Sequence, residues 1–111
     1  MKLYGIPNCD SVRKAKAILD AHGKSYQFID LRQSPPEIAL LSDWLARFGS
    51  TLINKRSTTY REHKQAVITA ENAGEDAIIA LLQQYPTLIK RPIISDNNDN
   101  VWLGLDVPPL Q

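Results

Sequence analysis

The chain has 111 residues, a formal charge of +1 and an ordinary share of apolar side chains, which suits one small domain around one main core. The near balance of charge removes any general electrostatic reason to expect nucleic acid or an anionic membrane as partner. No apolar run approaches the ~20 residues that span a bilayer, and the opening MKLYGIPNCD lacks the apolar stretch of a secretory signal, so a soluble cytosolic protein is expected.

Lys2 to Ile6 reads as a short strand, with Gly5 and Pro7 marking the turn that follows. Val12, Ala15, Ile18, Leu19 and His22 gather on one side of a helix while Arg13, Lys14 and Lys16 lie mostly elsewhere, and Gly23 stops it. Ser25 to Leu31 carries the aromatic and β-branched weight of a second strand, and a crossover of this length favours parallel pairing with the first. Ser34-Pro35-Pro36-Glu37 predicts a helix start with Ser34 as N-cap, proline at the first helical position and Glu37 closing a capping box. Ile38, Leu41, Trp44, Leu45 and Phe48 give that helix a broad apolar stripe ending at Gly49.

After the irregular LINKRSTT, Thr59 and Glu62 form a second possible capping box, for a helix running to about Ala70. Gly74 breaks it, and Glu75 and Asp76 suit the first turn of one more helix, carrying Ile78, Ile79, Leu81, Leu82 and Tyr85 before Pro86. RPIISDNNDNVWLGL then pairs two apolar runs around a polar turn, Asp96 to Asn100, as a hairpin. With no repeat and no linker, the expectation is an α/β domain over residues 1–111, β-α-β, then a helical insertion over about residues 34–86, then β-β.

Cys9 is the one cysteine, so no internal disulfide can form and any redox chemistry needs a second sulfur from elsewhere. It falls at the start of the first helix, where unpaired N–H groups and the positive end of the macrodipole favour an anion such as a thiolate. Such positions bring a thiol pKa from ~8.5 into a range of roughly 3.5 to 7.5. Arg13, Lys14 and Lys16 would add to this and Asp10 would oppose it, while the plain alternative is a buried, inert cysteine acting as a small hydrophobe. His22 and His63 lack metal-ligand spacing, so no metal is expected and both suit surface or packing roles. Trp44 and Phe48 read as core residues, and Trp102 either packs or flanks a cleft. No glycine-rich phosphate loop and no Ser-His-Asp spacing is present.

LYGIPNCDSVRKA, LINKRSTTYRE and LIKRPII, in that order, resemble the ArsC family of thioredoxin-like proteins, which comprises arsenate reductases, Spx-type regulators and YffB-like reductases. The pattern YGI-x-NCD-x-x-x-KA with LIN-x-R-x-TT-x-R and IKRP looks most like the YffB-like group. The resemblance implies a thioredoxin-like (glutaredoxin-like) fold with a mixed four-stranded sheet, and a cytosolic glutathione-dependent thiol/disulfide reductase. It implies no bound cofactor, glutathione as co-substrate, glutaredoxin as a candidate partner, and a small-molecule or protein disulfide as substrate. Carried over by position, Cys9 is the nucleophile, Arg91 holds an anion beside it, and Pro92 is the proline that is usually cis and faces the sulfur. Asn8, Lys55, Arg56 and Thr58 are candidates for binding substrate or glutathione in the same cleft.

Two departures shape the expected activity. Arsenate reductases of this family surround the oxyanion with three arginines, whereas here two of those positions are Asn54 and Leu105, so efficient arsenate reduction is not expected. Spx-type proteins carry a Cys-x-x-Cys switch, whereas Cys9-Asp10-Ser11-Val12 cannot form one, and an RNA-polymerase-binding regulator without that switch is the runner-up reading. Pro108 and Pro109 so near Gln111 make the family's closing helix absent or very short, which is expected to leave one side of the sheet less covered and to favour a partner or a dimer.

Overall fold

Alternating apolar residues on short strands form a sheet when each strand's inward row meets the next, and the register here aligns four such residues. The computed structural model describes residues 1–111, which fall into two compact units, residues 1–34 with 91–111, and residues 35–90. The first unit contains strands β1 (Lys2–Gly5), β2 (Gln27–Asp30), β3 (Ile93–Ser95) and β4 (Val101–Leu103) in the order β2-β1-β3-β4. β1 is parallel to β2, as a β-α-β start requires, β3 is antiparallel to β4, as a hairpin requires, and β1 is antiparallel to β3.

Leu3 lies opposite both Phe28 and Ile94, and Ile94 lies opposite Trp102, so Phe28, Leu3, Ile94 and Trp102 make one row across the sheet. Helix α1 (Asp10–Ala21) lays Ala15 and Leu19 onto that row. Gly23, at φ +65°, takes the chain out of the helix in a conformation that side chains disfavour. Trp102 therefore packs in this core. The tail has one 3-10 turn, Pro108–Leu110, and no closing helix. Contrary to the expected exposure, it closes this face: Val107 and Leu110 join the core, and Lys24 Nζ donates to the Pro109 carbonyl at 2.9 Å.

The second unit is helical. Helix α2 (Ile38–Phe48) begins four residues after Ser34, with Glu37 as its N-cap in extended conformation and no side-chain cap. The predicted box fails because Pro36 drives Pro35, the residue that would open the helix, from the helical region, so the helix cannot start before the second proline. The stripe shifts accordingly: Leu41 and Trp44 are fully buried, Leu45 and Phe48 partly, and Ile38 is 62% exposed. Gly49 ends the helix at φ +58°.

The second predicted helix is two. Ser57, not Thr59, caps α3 (Thr58–Glu62), its hydroxyl accepting from the Tyr60 N–H at 3.0 Å. Thr59 instead shares a 2.6 Å hydrogen bond with Thr87. The chain turns at His63, whose ring stacks on Tyr85 with centroids 4.0 Å apart, and α4 (Lys64–Ala73) follows. Gly74, at φ +119°, separates α4 from α5 (Glu75–Gln84), and these two helices pack together. Beyond α5, an isolated antiparallel bridge pairs Ile53 with Ile89, flanked by Asn54 N–H to Leu88 and Lys90 N–H to Leu52 bonds, each 2.8 Å.

Candidate active site

β1 delivers the chain into the loop that carries Cys9. The Cys9 N–H donates to the Ile6 carbonyl at 3.3 Å, and its own carbonyl accepts the first helical bond, from Arg13 N–H at 3.0 Å. With extended backbone at φ −96°, ψ 126°, Cys9 is the N-cap of α1. Gly5 makes this approach possible. It lies on the same side of β1 as Leu3, and a methyl group placed on it would sit 2.4 Å from Val12 Cγ2 and 3.0 Å from Cγ1. Val12 is fully buried and β-branched, so it has little room to turn aside.

The partly buried sulfur feels opposing effects. Burial, the largest, pushes the thiol pKa up, and it is outweighed by the Val12 N–H, by a hydrogen bond from Arg91, by the Arg91 charge and by the Ser11 N–H. The net result lies below the ordinary thiol value. The sulfur makes no full capping hydrogen bond, so the two N–H groups act on it as nearby dipoles.

Topology explains how residues 82 positions apart in sequence meet. β3 runs antiparallel to β1 with Ile93 opposite Tyr4, so the residues just before Ile93 lie at the end of the sheet where β1 hands over to Cys9. Arg91 is partly exposed there, Pro92 is buried, and the Arg91-Pro92 peptide bond is cis. The Gly104 N–H donates to the Pro92 carbonyl at 2.8 Å.

The other predicted cations do not act on the sulfur. Arg13 turns to Asp10 in an exposed 2.9 Å pair, which also occupies the charge expected to oppose a thiolate. Lys16 places its ammonium 3.7 Å from the centroid of the Phe28 ring. From sequence, Ser11 and Val12 are visible only as part of a generic helix terminus, and Gly5, two residues before Pro7, is the residue whose missing side chain lets Val12 approach. His22 is exposed at the end of α1, while His63 packs on Tyr85.

Asn8 is exposed in the loop before Cys9, within the first unit. Arg56 and Thr58 belong to the second unit and are both exposed. There the Asn54 side-chain carbonyl accepts from the Arg56 N–H at 3.1 Å, and Thr58 accepts from Arg61 at 3.3 Å. Asn54 thus spends its side chain on a local turn. Leu105 is packed against the apolar core of the first unit.

The ArsC family model matches residues 4–106. Among solved structures, a YffB protein is 31% identical, with 97% of this chain and 91% of that one covered and a TM-score of 0.80. A possible arsenate reductase from Streptococcus mutans is 28% identical, with 96% and 91% covered and a TM-score of 0.79. The global transcriptional regulator Spx of Streptococcus pneumoniae is 31% identical over 94 residues, 85% of this chain and 71% of its own length. With a match over nearly the whole chain, carrying Cys9, Arg91 and Pro92 in its span, and a mixed four-stranded sheet shared with these neighbours, the protein belongs to the ArsC family and has its thioredoxin-like α/β fold.

Proposed function

We propose that the protein is a cytosolic, glutathione-dependent thiol/disulfide oxidoreductase that works with one cysteine. The observation that carries this reading is the Cys9 sulfur at the N-terminus of α1 beside Arg91, with its pKa lowered by both. Similarity to a possible arsenate reductase supports redox chemistry more broadly. In the first step the Cys9 thiolate attacks the glutathione sulfur of a mixed disulfide, forming a Cys9–glutathione disulfide and expelling the substrate sulfur as a thiolate. In the second, a glutathione thiolate attacks the glutathione sulfur of that adduct, giving oxidised glutathione and regenerating Cys9. The net reaction takes one mixed disulfide and one glutathione to one thiol and oxidised glutathione, with no second protein sulfur.

Arg91 stabilises the Cys9 thiolate before attack and as leaving group in the second step, since a lower leaving-group pKa speeds departure. Asn8, Arg56, Thr58 and Pro92 remain the candidates for binding substrate or glutathione, and glutaredoxin is an alternative source of the resolving thiol. Arsenate is a poor substrate in this reading, because two positions that are arginine in arsenate reductases of the family are Asn54 and Leu105, neither of which carries a charge. Steady-state reduction of a glutathione mixed disulfide, coupled to glutathione consumption, tests the proposal. Cys9→Ser is expected to lose essentially all turnover with its circular dichroism spectrum unchanged; retained activity in that variant would refute the assignment.

Similarity to Spx keeps a second reading, a regulator that docks on RNA polymerase. Capture of the purified polymerase α subunit by a chain whose Cys9 forms no glutathione adduct would favour it over the reductase.

A further inference from the structure

Two of the three motif segments, LINKR and LIKR, converge within the second unit. The Ile53–Ile89 bridge and its flanking 2.8 Å bonds hold residues 52–54 against residues 88–90. The Asn54 side chain then tightens the turn that presents Arg56. The result is a groove of about 420 Å³ lined by Ser50, Thr51, Asn54, Lys55, Arg56 and Lys90 together with the apolar Ile53, with no carboxylate in its lining. Three cations thus face one groove in a chain whose formal charge is only +1. Lys55 reaches Glu71 at a loose 3.6 Å, while Arg56 and Lys90 form no ion pair. Nothing in the packing requires this cluster, since all three cations are exposed and like charges held together repel.

We propose that this groove binds a small ligand bearing two or more oxyanionic groups, with Arg56 and Lys90 as its main anchors and Lys55, Asn54 and the Ser50 and Thr51 hydroxyls around them. The volume falls in the range of small-molecule sites rather than of a single ion. A planar guanidinium offers paired donors to a carboxylate or a phosphate, and an ammonium beside it supplies a point charge for a second group. The same chemistry can come from a peptide dicarboxylate or from a phosphoanhydride. The peptide source deepens the proposed glutathione dependence and rests on it.

The test uses the full chain as Cys9→Ser, so that sulfur chemistry contributes nothing, titrated with S-methylglutathione and separately with pyrophosphate while backbone amide NMR shifts are followed. Saturable shifts in residues 50–56 and 90 with either probe are expected, and the responding probe names the source. Arg56→Ala and Lys90→Ala are each expected to weaken binding about three- to tenfold, the size of exposed charge-assisted contacts, whereas Lys90→Arg retains it. Raising the salt concentration weakens it further. Absence of groove shifts with both probes, or equal affinity in the alanine variants, overturns the proposal. Turnover of glutathione by a chain with no groove shifts would overturn the groove alone. Groove shifts in a chain whose native Cys9 forms no adduct would leave the groove standing and end the reductase reading.

Discussion

At Cys9 the competition between burial and local electrostatics is won by the latter, through two N–H groups and one guanidinium. The sign of its pH dependence follows. A thiol whose folded pKa lies below its unfolded value adds stability that is present above the unfolded pKa and is lost as pH falls through the folded pKa. The folded protein is therefore expected to lose this contribution on acidification from above ~8.5, and Cys9→Ser to flatten that part of a denaturation-versus-pH curve; an unchanged curve contradicts the lowered pKa. Arg91→Ala should raise the alkylation midpoint, with Arg91→Lys intermediate because it keeps the charge and loses the fork. An alanine variant with the wild-type midpoint would return Arg91 to a solvated surface charge. Cys9 was legible because a thiol after a strand and before a helical pattern has few other placements. Arg91 was reachable only through the family resemblance, since nothing local marks a residue far along the chain as its neighbour. The roles expected of Arg13 and Lys16 failed because helix spacing cannot show which way a long side chain turns, and each found a nearer partner.

Between elements, the β1–α1 contact decides how near the helix terminus comes to the sulfur. Gly5 needs no left-handed backbone, so Gly5→Ala would act purely through its methyl group against Val12. Overpacking of this kind costs about 1–3 kcal/mol, and moving the first turn of α1 should also raise the Cys9 alkylation midpoint. Adding Val12→Ala makes room and should bring the midpoint back toward wild type; a midpoint that never moves would separate this contact from thiol acidity. Strands and helices with strong patterns were legible, as were the Gly23, Gly49 and Gly74 boundaries, because glycine at positive φ is a local requirement. The starts of α2 and α3 were not. Competing hydroxyls at Ser57 and Thr59 offer the same capping chemistry, and tertiary pairing of Thr59 with Thr87 decides between them. Tandem prolines suit a helix entry, yet their effect on the residue before each one is the stronger constraint.

For the molecule as a whole, the segment after β4 buries two side chains, Val107 and Leu110, against the face that α1 covers. Leu110→Ala is expected to destabilise by about 2 kcal/mol, the low end for a buried leucine because the site lies at a chain end; a denaturation midpoint within error of wild type would contradict that packing. The β-α-β start and the closing hairpin were legible, whereas the covering role of VPPLQ was not, since five residues carry no periodicity to read. The same core takes up Leu105, which joins whole-molecule packing to electrostatics: a position that could carry a cation is instead part of the hydrophobic face, and Arg91 is the cation that lowers the Cys9 pKa. An acidic single thiol that cycles through a glutathione adduct would show itself first in the pH dependence of Cys9 alkylation, followed by intact mass after oxidised glutathione. A midpoint well below ~8.5 is expected, with one glutathione adduct per chain that free glutathione removes. A midpoint at the ordinary thiol value with no adduct would contradict it.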